Sequence, residues 1–100
     1  MTDTSVVFIN VLEVEPGRQR ELVALLLEGA ETVVRHRPGY VSGTIYASLD
    51  GTRVVNCASW RAPEDAAATR ADPAAAAYAR RAAAMATAGP AVYRVAATIE

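Results

Sequence analysis

Asn56 and Trp60 are the side chains whose types and spacing offer this chain the most chemistry. They lie in Val54-Val55-Asn56-Cys57-Ala58-Ser59-Trp60, a run that reads as a β-strand. Side chains alternate along a strand, so Val54, Asn56, Ala58 and Trp60 share one face. The amide and the indole then stand roughly 13 Å apart, at about 3.3 Å per residue. A carboxamide amid apolar neighbours is costly unless its donors and acceptors are satisfied. A bound polar ligand would satisfy it, and an indole offers a flat apolar surface to an aromatic one. Alternatively, Asn56 bonds a neighbouring side chain and Trp60 fills core. The segment alone leaves both readings open.

Other residue types narrow the chemistry. Cys57 is the only cysteine, so neither an internal disulfide nor a cysteine-based metal framework can form. His36 is the only histidine and sits in Arg35-His36-Arg37-Pro38-Gly39, which reads as a cation-rich, exposed helix end. A zinc site, a non-haem iron site or a hydrolytic triad would all depend on it. There is no glycine-rich phosphate loop and no lysine for a Schiff base. An enzyme built from this chain works with amide, indole, phenol, carboxylate and guanidinium groups. These can orient an aromatic substrate and stabilise a developing oxyanion. Redox chemistry would then come from a cofactor or from the substrate itself. Tyr46 and Tyr78 are phenols that could face such a site and relay a proton.

The elements that would position these groups follow from periodicity. With 100 residues, 52% apolar and 21% charged, the chain is expected to form one globular domain over residues 1–100. Net charge is −1 without a basic stripe, which argues against nucleic acid as a partner. No apolar run approaches the ~20 residues that span a bilayer. Met1-Thr2-Asp3-Thr4-Ser5 lacks the pattern of a secretion signal, so a cytoplasmic location is expected.

Ser5 to Val14 reads as strand one, with Val7, Ile9 and Val11 on one face and Phe8 and Leu12 on the other, where Asn10 interrupts. Arg18 to Arg37 has apolar residues at helical spacing and ends at Pro38-Gly39. Tyr40 to Leu49 is strand two, Asp50-Gly51 a hairpin turn, and Thr52 to Trp60 strand three. Helices start at Pro63 and, capped by Asp72, at Pro73. Ala88-Gly89-Pro90 closes the last helix, and Ala91 to Ile99 is the final strand. The order β-α-β-β-α-β predicts an α+β, ferredoxin-like plan with helices on one face of an antiparallel sheet. Strands apolar on both faces then call for a second copy of the chain against the uncovered face, hence a homodimer. The alanine-rich last helix either packs closely on the sheet or leaves room for a flat ligand walled by Trp60, Phe8 and Tyr78.

Taken in order, Pro16-Gly17, Arg37-Pro38-Gly39-Tyr40 and Asp50-Gly51-Thr52-Arg53-Val54-Val55-Asn56-Cys57-Ala58-Ser59-Trp60 resemble the antibiotic biosynthesis monooxygenase family over nearly the whole chain. The resemblance implies a dimeric α+β barrel that uses oxygen to oxidise a polycyclic phenol or anthrone of an aromatic polyketide pathway to a quinone. It implies no metal, flavin or haem. Asn56 matches the amide that bonds the substrate oxygen, and Trp60 the indole that stacks on the substrate. Phe8, Asn10, Tyr46, Tyr78 and Arg80 are the expected substrate-binding residues. Tyr46 stands where some members have a histidine, Ala66 where some have a tyrosine, and Arg80 near a helical arginine. Haem-degrading proteins of this fold pair an asparagine on strand one with a tryptophan on strand three. Asn10 and Trp60 fit that pattern, but Tyr78 occupies the place of their histidine ligand, so no haem is expected. A polyketide cyclase or dehydratase, or a non-catalytic binder of aromatic ligands, remains the alternative on this scaffold.

Overall fold

The structure is a computed structural model that describes residues 5–100. Residues 1–4, part of the segment read above for a secretion signal, lie outside the described residues. Four strands and three α-helices follow in the order β1 (Val6–Glu13), α1 (Gln19–Thr32), β2 (Tyr40–Ala47), β3 (Arg53–Trp60), α2 (Pro63–Ala71), α3 (Pro73–Met85) and β4 (Thr87–Tyr93). Short 3-10 turns at Pro16–Arg18 and Val34–His36 flank α1. The sheet has the order β2-β3-β1-β4 with every pair antiparallel. This is the α+β, ferredoxin-like plan expected from the element order.

Local chemistry explains most boundaries. The Asp72 carboxylate accepts a hydrogen bond from the Ala75 amide at 3.1 Å, capping α3 as expected. Arg37 is extended at φ −77, ψ 147 ahead of Pro38, as a pre-proline residue prefers. The α-helix nonetheless stops at Thr32, earlier than the pattern to Arg37 suggested. Thr32 Oγ1 donates to its own helix at the Glu28 carbonyl, 2.6 Å away. In the β2–β3 turn, the Asp50 carboxylate accepts from Ser48 Oγ and from both the backbone amide and hydroxyl of Thr52.

The last strand departs from expectation. It begins at Thr87 and contains Gly89 and Pro90, while residues 94–99 lie outside it. Pro90 is tolerated because β4 is an edge strand. Its β1 partner Asn10 adds a side-chain bond, Oδ1 accepting from the Gly89 amide at 3.0 Å.

The core is divided. One cluster gathers Leu12, Val14, Leu22, Val54 and Ala82, the other Val6, Ala58, Trp60 and Ala66. Both lie on the helix-covered face. Between them, at the middle of β1 and β3, stand Asn10 and Asn56, directly opposite each other in the register. Two adjacent carboxamides thus mark the parting between two apolar clusters.

Candidate active site

A cavity of about 1,030 Å³ opens at that parting, between the sheet and the helices. Its volume is at the upper end of the range typical of small-molecule sites, roughly 300–1,000 Å³. Phe8, Asn10, Asn56, Ala58 and Trp60 contribute from β1 and β3, Tyr40, Gly43 and Ile45 from β2, and Leu26 and Val34 from the α1 side. The alanine-rich α3 contributes Ala75, Ala76, Ala79 and Ala83, whose short side chains leave the space unfilled. The helices still touch closely at one point. A Cβ on Gly29 of α1 would lie 3.0 Å from Tyr78 Cγ of α3.

Asn56 is the central polar group. Its side chain is partly buried and lines the cavity. Among the described residues its carboxamide has no hydrogen-bond partner, yet no buried side-chain polar atom is left orphaned. The amide therefore opens onto the cavity. Of the two readings of Asn56, the one in which it bonds a neighbouring side chain is excluded among the described residues. Asn10 also lines the cavity but differs, because its Oδ1 accepts from the Gly89 amide.

Trp60 is 3% exposed and packs with Val6, Ala58 and Ala66. The indole borders the cavity as a wall, with little surface free to act as a stacking platform. Tyr40 meets it edge-on, with ring centroids 5.6 Å apart and planes at 82°.

The remaining candidates separate. Phe8 lines the cavity. Tyr78 lines it too, but with its hydroxyl engaged on α1. Its hydroxyl donates to Glu28 Oε2 at 2.8 Å. Arg81 is also bound to Glu28, at 3.6 Å, and lies 5.3 Å from the Tyr78 ring centroid. That phenol therefore clasps α1 to α3. Arg80 is exposed at the cavity rim, together with Arg35 and Arg70.

Tyr46 is misplaced by the expectation above. It pairs with Val55, on the sheet face opposite Asn56, and is 57% exposed. Strict alternation from Asn56 through its partner Ile45 requires this. Cys57 also projects away from Asn56, and burial raises its thiol pKa, which suits an inert filler. Among the described residues, no three His, Cys, Asp or Glu side chains gather where they could hold a metal ion. No helix there is long and apolar enough to cross a membrane.

Tyr40 was not legible as a site residue. Counting back by twos from Ile45 and Gly43 puts Val41 on the cavity face and Tyr40 on the other. A bulge between Tyr40 and Ser42 sets Tyr40 opposite Trp60, so that Tyr40 borders the cavity along with Val41. No pattern in the sequence announces that bulge.

A ferredoxin-like sheet with an unpartnered carboxamide on the floor of a large, mostly apolar cavity has the form of a small-molecule site beneath its helices. The chain belongs to the antibiotic biosynthesis monooxygenase family, whose profile matches residues 5–81. In particular, it is 48% identical over 65 residues to a tetracenomycin-F1 monooxygenase from Streptomyces glaucescens. The match covers 65% of this chain and 58% of that protein, less than two thirds of the relative's length. The monooxygenase ActVA-Orf6 of Streptomyces coelicolor, solved with nanaomycin D, superposes with a TM-score of 0.82 at 27% identity, over 98% of this chain and 93% of that one. SnoaB, a cofactor-independent oxygenase from Streptomyces nogalater, has a TM-score of 0.76 at 20% identity over 96% of this chain and 97% of that one, a likeness of fold.

Proposed function

We propose that this chain is a cofactor-independent monooxygenase that oxidises a polycyclic phenol or anthrone of aromatic polyketide biosynthesis to a quinone. The observation that carries the reading is the Asn56 carboxamide, open to the cavity and without a partner among the described residues. Membership of the family and the activities of the tetracenomycin-F1 monooxygenase, SnoaB and ActVA-Orf6 support it.

An electron-rich phenolate or enolate can itself reduce oxygen, given a site that favours its anion and limits bulk water. Asn56 donates to the substrate oxygen as negative charge builds there. The substrate carbon loses its proton, transfers an electron to O2 and forms a carbon–oxygen bond, giving a peroxide. Loss of the second hydrogen from that carbon and cleavage of the O–O bond leave a carbonyl. The other oxygen departs with two protons as water, so that a CH2 and O2 become C=O and H2O. Trp60 and Phe8 wall the ring system, and Asn10, Tyr78 and Arg80 border it.

The working unit in this proposal is a homodimer. Val7, Ile9, Val11, Val55, Tyr46 and Tyr93 share the sheet face that no helix covers, and Val11 is 42%, Tyr46 57% and Tyr93 49% exposed. A second copy would bury this apolar surface.

Oxygen uptake by metal-stripped protein with an anthrone tests the activity. Wild type should consume one O2 per quinone formed, and Asn56→Ala should lose most of that rate. No uptake above buffer would refute the oxygenase reading, and a product lighter by water without uptake would indicate a dehydrating cyclase instead.

A further inference from the structure

We infer that Tyr40 is a second substrate-contacting group of this cavity, its phenol donating a hydrogen bond to a ring-system oxygen away from the one Asn56 holds. The inference rests on the proposed function for the identity of the ligand, an oxygenated polycycle. Its geometric basis is independent of oxygen chemistry.

Four observations converge. The bulge at Val41 turns Tyr40 onto the cavity face, opposite Trp60, and bulges commonly re-aim side chains beside active sites. The ring is held edge-on by Trp60, which is itself locked in core. The hydroxyl reaches forward along β2 over Gly43, lying 2.7 Å from where a Cβ on that glycine would be. Finally, among the described residues the hydroxyl has no hydrogen-bond partner, and it is not sealed as a buried orphan.

Gly43 pairs with Ala58, which lies midway between Asn56 and Trp60 on β3. The phenol oxygen therefore sits over the two smallest side chains of the floor, between the carboxamide and the indole. A glycine at that point is what admits it. A phenol and a carboxamide at separate points along one apolar floor can grip two oxygens of a fused ring system. Two such anchors fix its orientation, and hence which carbon meets oxygen.

Tyr40→Phe keeps the ring against Trp60 and deletes only the hydroxyl. Anaerobic binding of dithranol, a dihydroxyanthrone, is followed by quenching of Trp60, the sole tryptophan. Tyr40→Phe should bind about 10-fold more weakly, the scale of one lost hydrogen bond. Under air, kcat/KM should fall at least as far. Gly43→Ala, whose methyl would displace the hydroxyl, should reproduce the loss. The double variant should be no worse than either single one, because both remove the same contact. Tyr40→Phe binding dithranol as wild type does would overturn the inference. Weakened binding in the variant without oxygen uptake by wild type would uphold it while refuting the oxygenase reading.

Discussion

Asn10 and Asn56 are the same residue type, facing each other across β1 and β3, yet the structure predicts opposite consequences for the same substitution. Asn56→Leu removes a carboxamide that has no protein partner and stands among apolar groups. Protein mutational data put the cost of an unpaired amide at roughly 1–3 kcal/mol. The cavity admits water, so the lower end applies and the variant should be about 1 kcal/mol more stable. Asn10→Leu instead breaks the bond to the Gly89 amide and should cost about 1 kcal/mol. Both variants add one leucine at facing positions, so the gain from apolar burial largely cancels in the comparison. The difference of about 2 kcal/mol corresponds to roughly 8–16 °C in Tm for a chain of this size. Calorimetry of both variants at equal protein concentration measures it, since any dimerisation makes Tm concentration-dependent. Oxygen uptake on the same samples should show Asn56→Leu slowed about 100-fold, the scale of a lost oxyanion donor. A more stable and less active variant is the signature of a group kept for function at the expense of stability. If Asn56→Leu proves as destabilising as Asn10→Leu, the amide has a structural partner and the argument for the site fails.

Four further expectations concern the helix contact, the Tyr78 phenol, the β2–β3 turn and the uncovered sheet face. Gly29→Leu should destabilise by about 1–3 kcal/mol in urea unfolding, because a Cβ there already crowds the Tyr78 ring; Tyr78→Phe should leave turnover near wild type, since that hydroxyl is spent on Glu28. The Asp50 carboxyl is held down to about 2, chiefly by the Thr52 hydroxyl and then by the Thr52 amide and Ser48. A depressed carboxylate stabilises the fold above its ordinary pKa, and that contribution is lost as pH falls from 3.8 towards 2. Acid titration of Asp50→Asn should lack this component of the stability loss. If the chain pairs through the uncovered sheet face as proposed, Ile9→Arg should lower the mass from dimer to monomer in sedimentation equilibrium; a dimeric mass unchanged by the substitution would place the association surface elsewhere.

Periodicity and turn chemistry make much of this fold legible in the amino-acid sequence. The β-α-β-β-α-β order, the Asp50-Gly51 hairpin and the Asp72 cap all depend on residues close together in the chain, where steric and hydrogen-bonding preferences act locally. The shared face of Asn56 and Trp60 is equally local, since alternation alone dictates it. What the sequence could not decide were matters of long-range contact. Nothing local shows that Gly29 draws Tyr78 into a clasp with Glu28, 50 residues away in sequence, and so removes that phenol from the site. Nor does the chain announce that the Asn10 side chain holds the Gly89 amide, helping Pro90 lie inside an edge strand. The bulge that brings Tyr40 opposite Trp60 arises from pairing with β3, and a shift of one residue reverses which face a side chain occupies. Whether slender helices close onto the sheet or stand off it was likewise settled by three-dimensional packing. A hollow is the space left when two apolar clusters fill separately, and no single segment contains it.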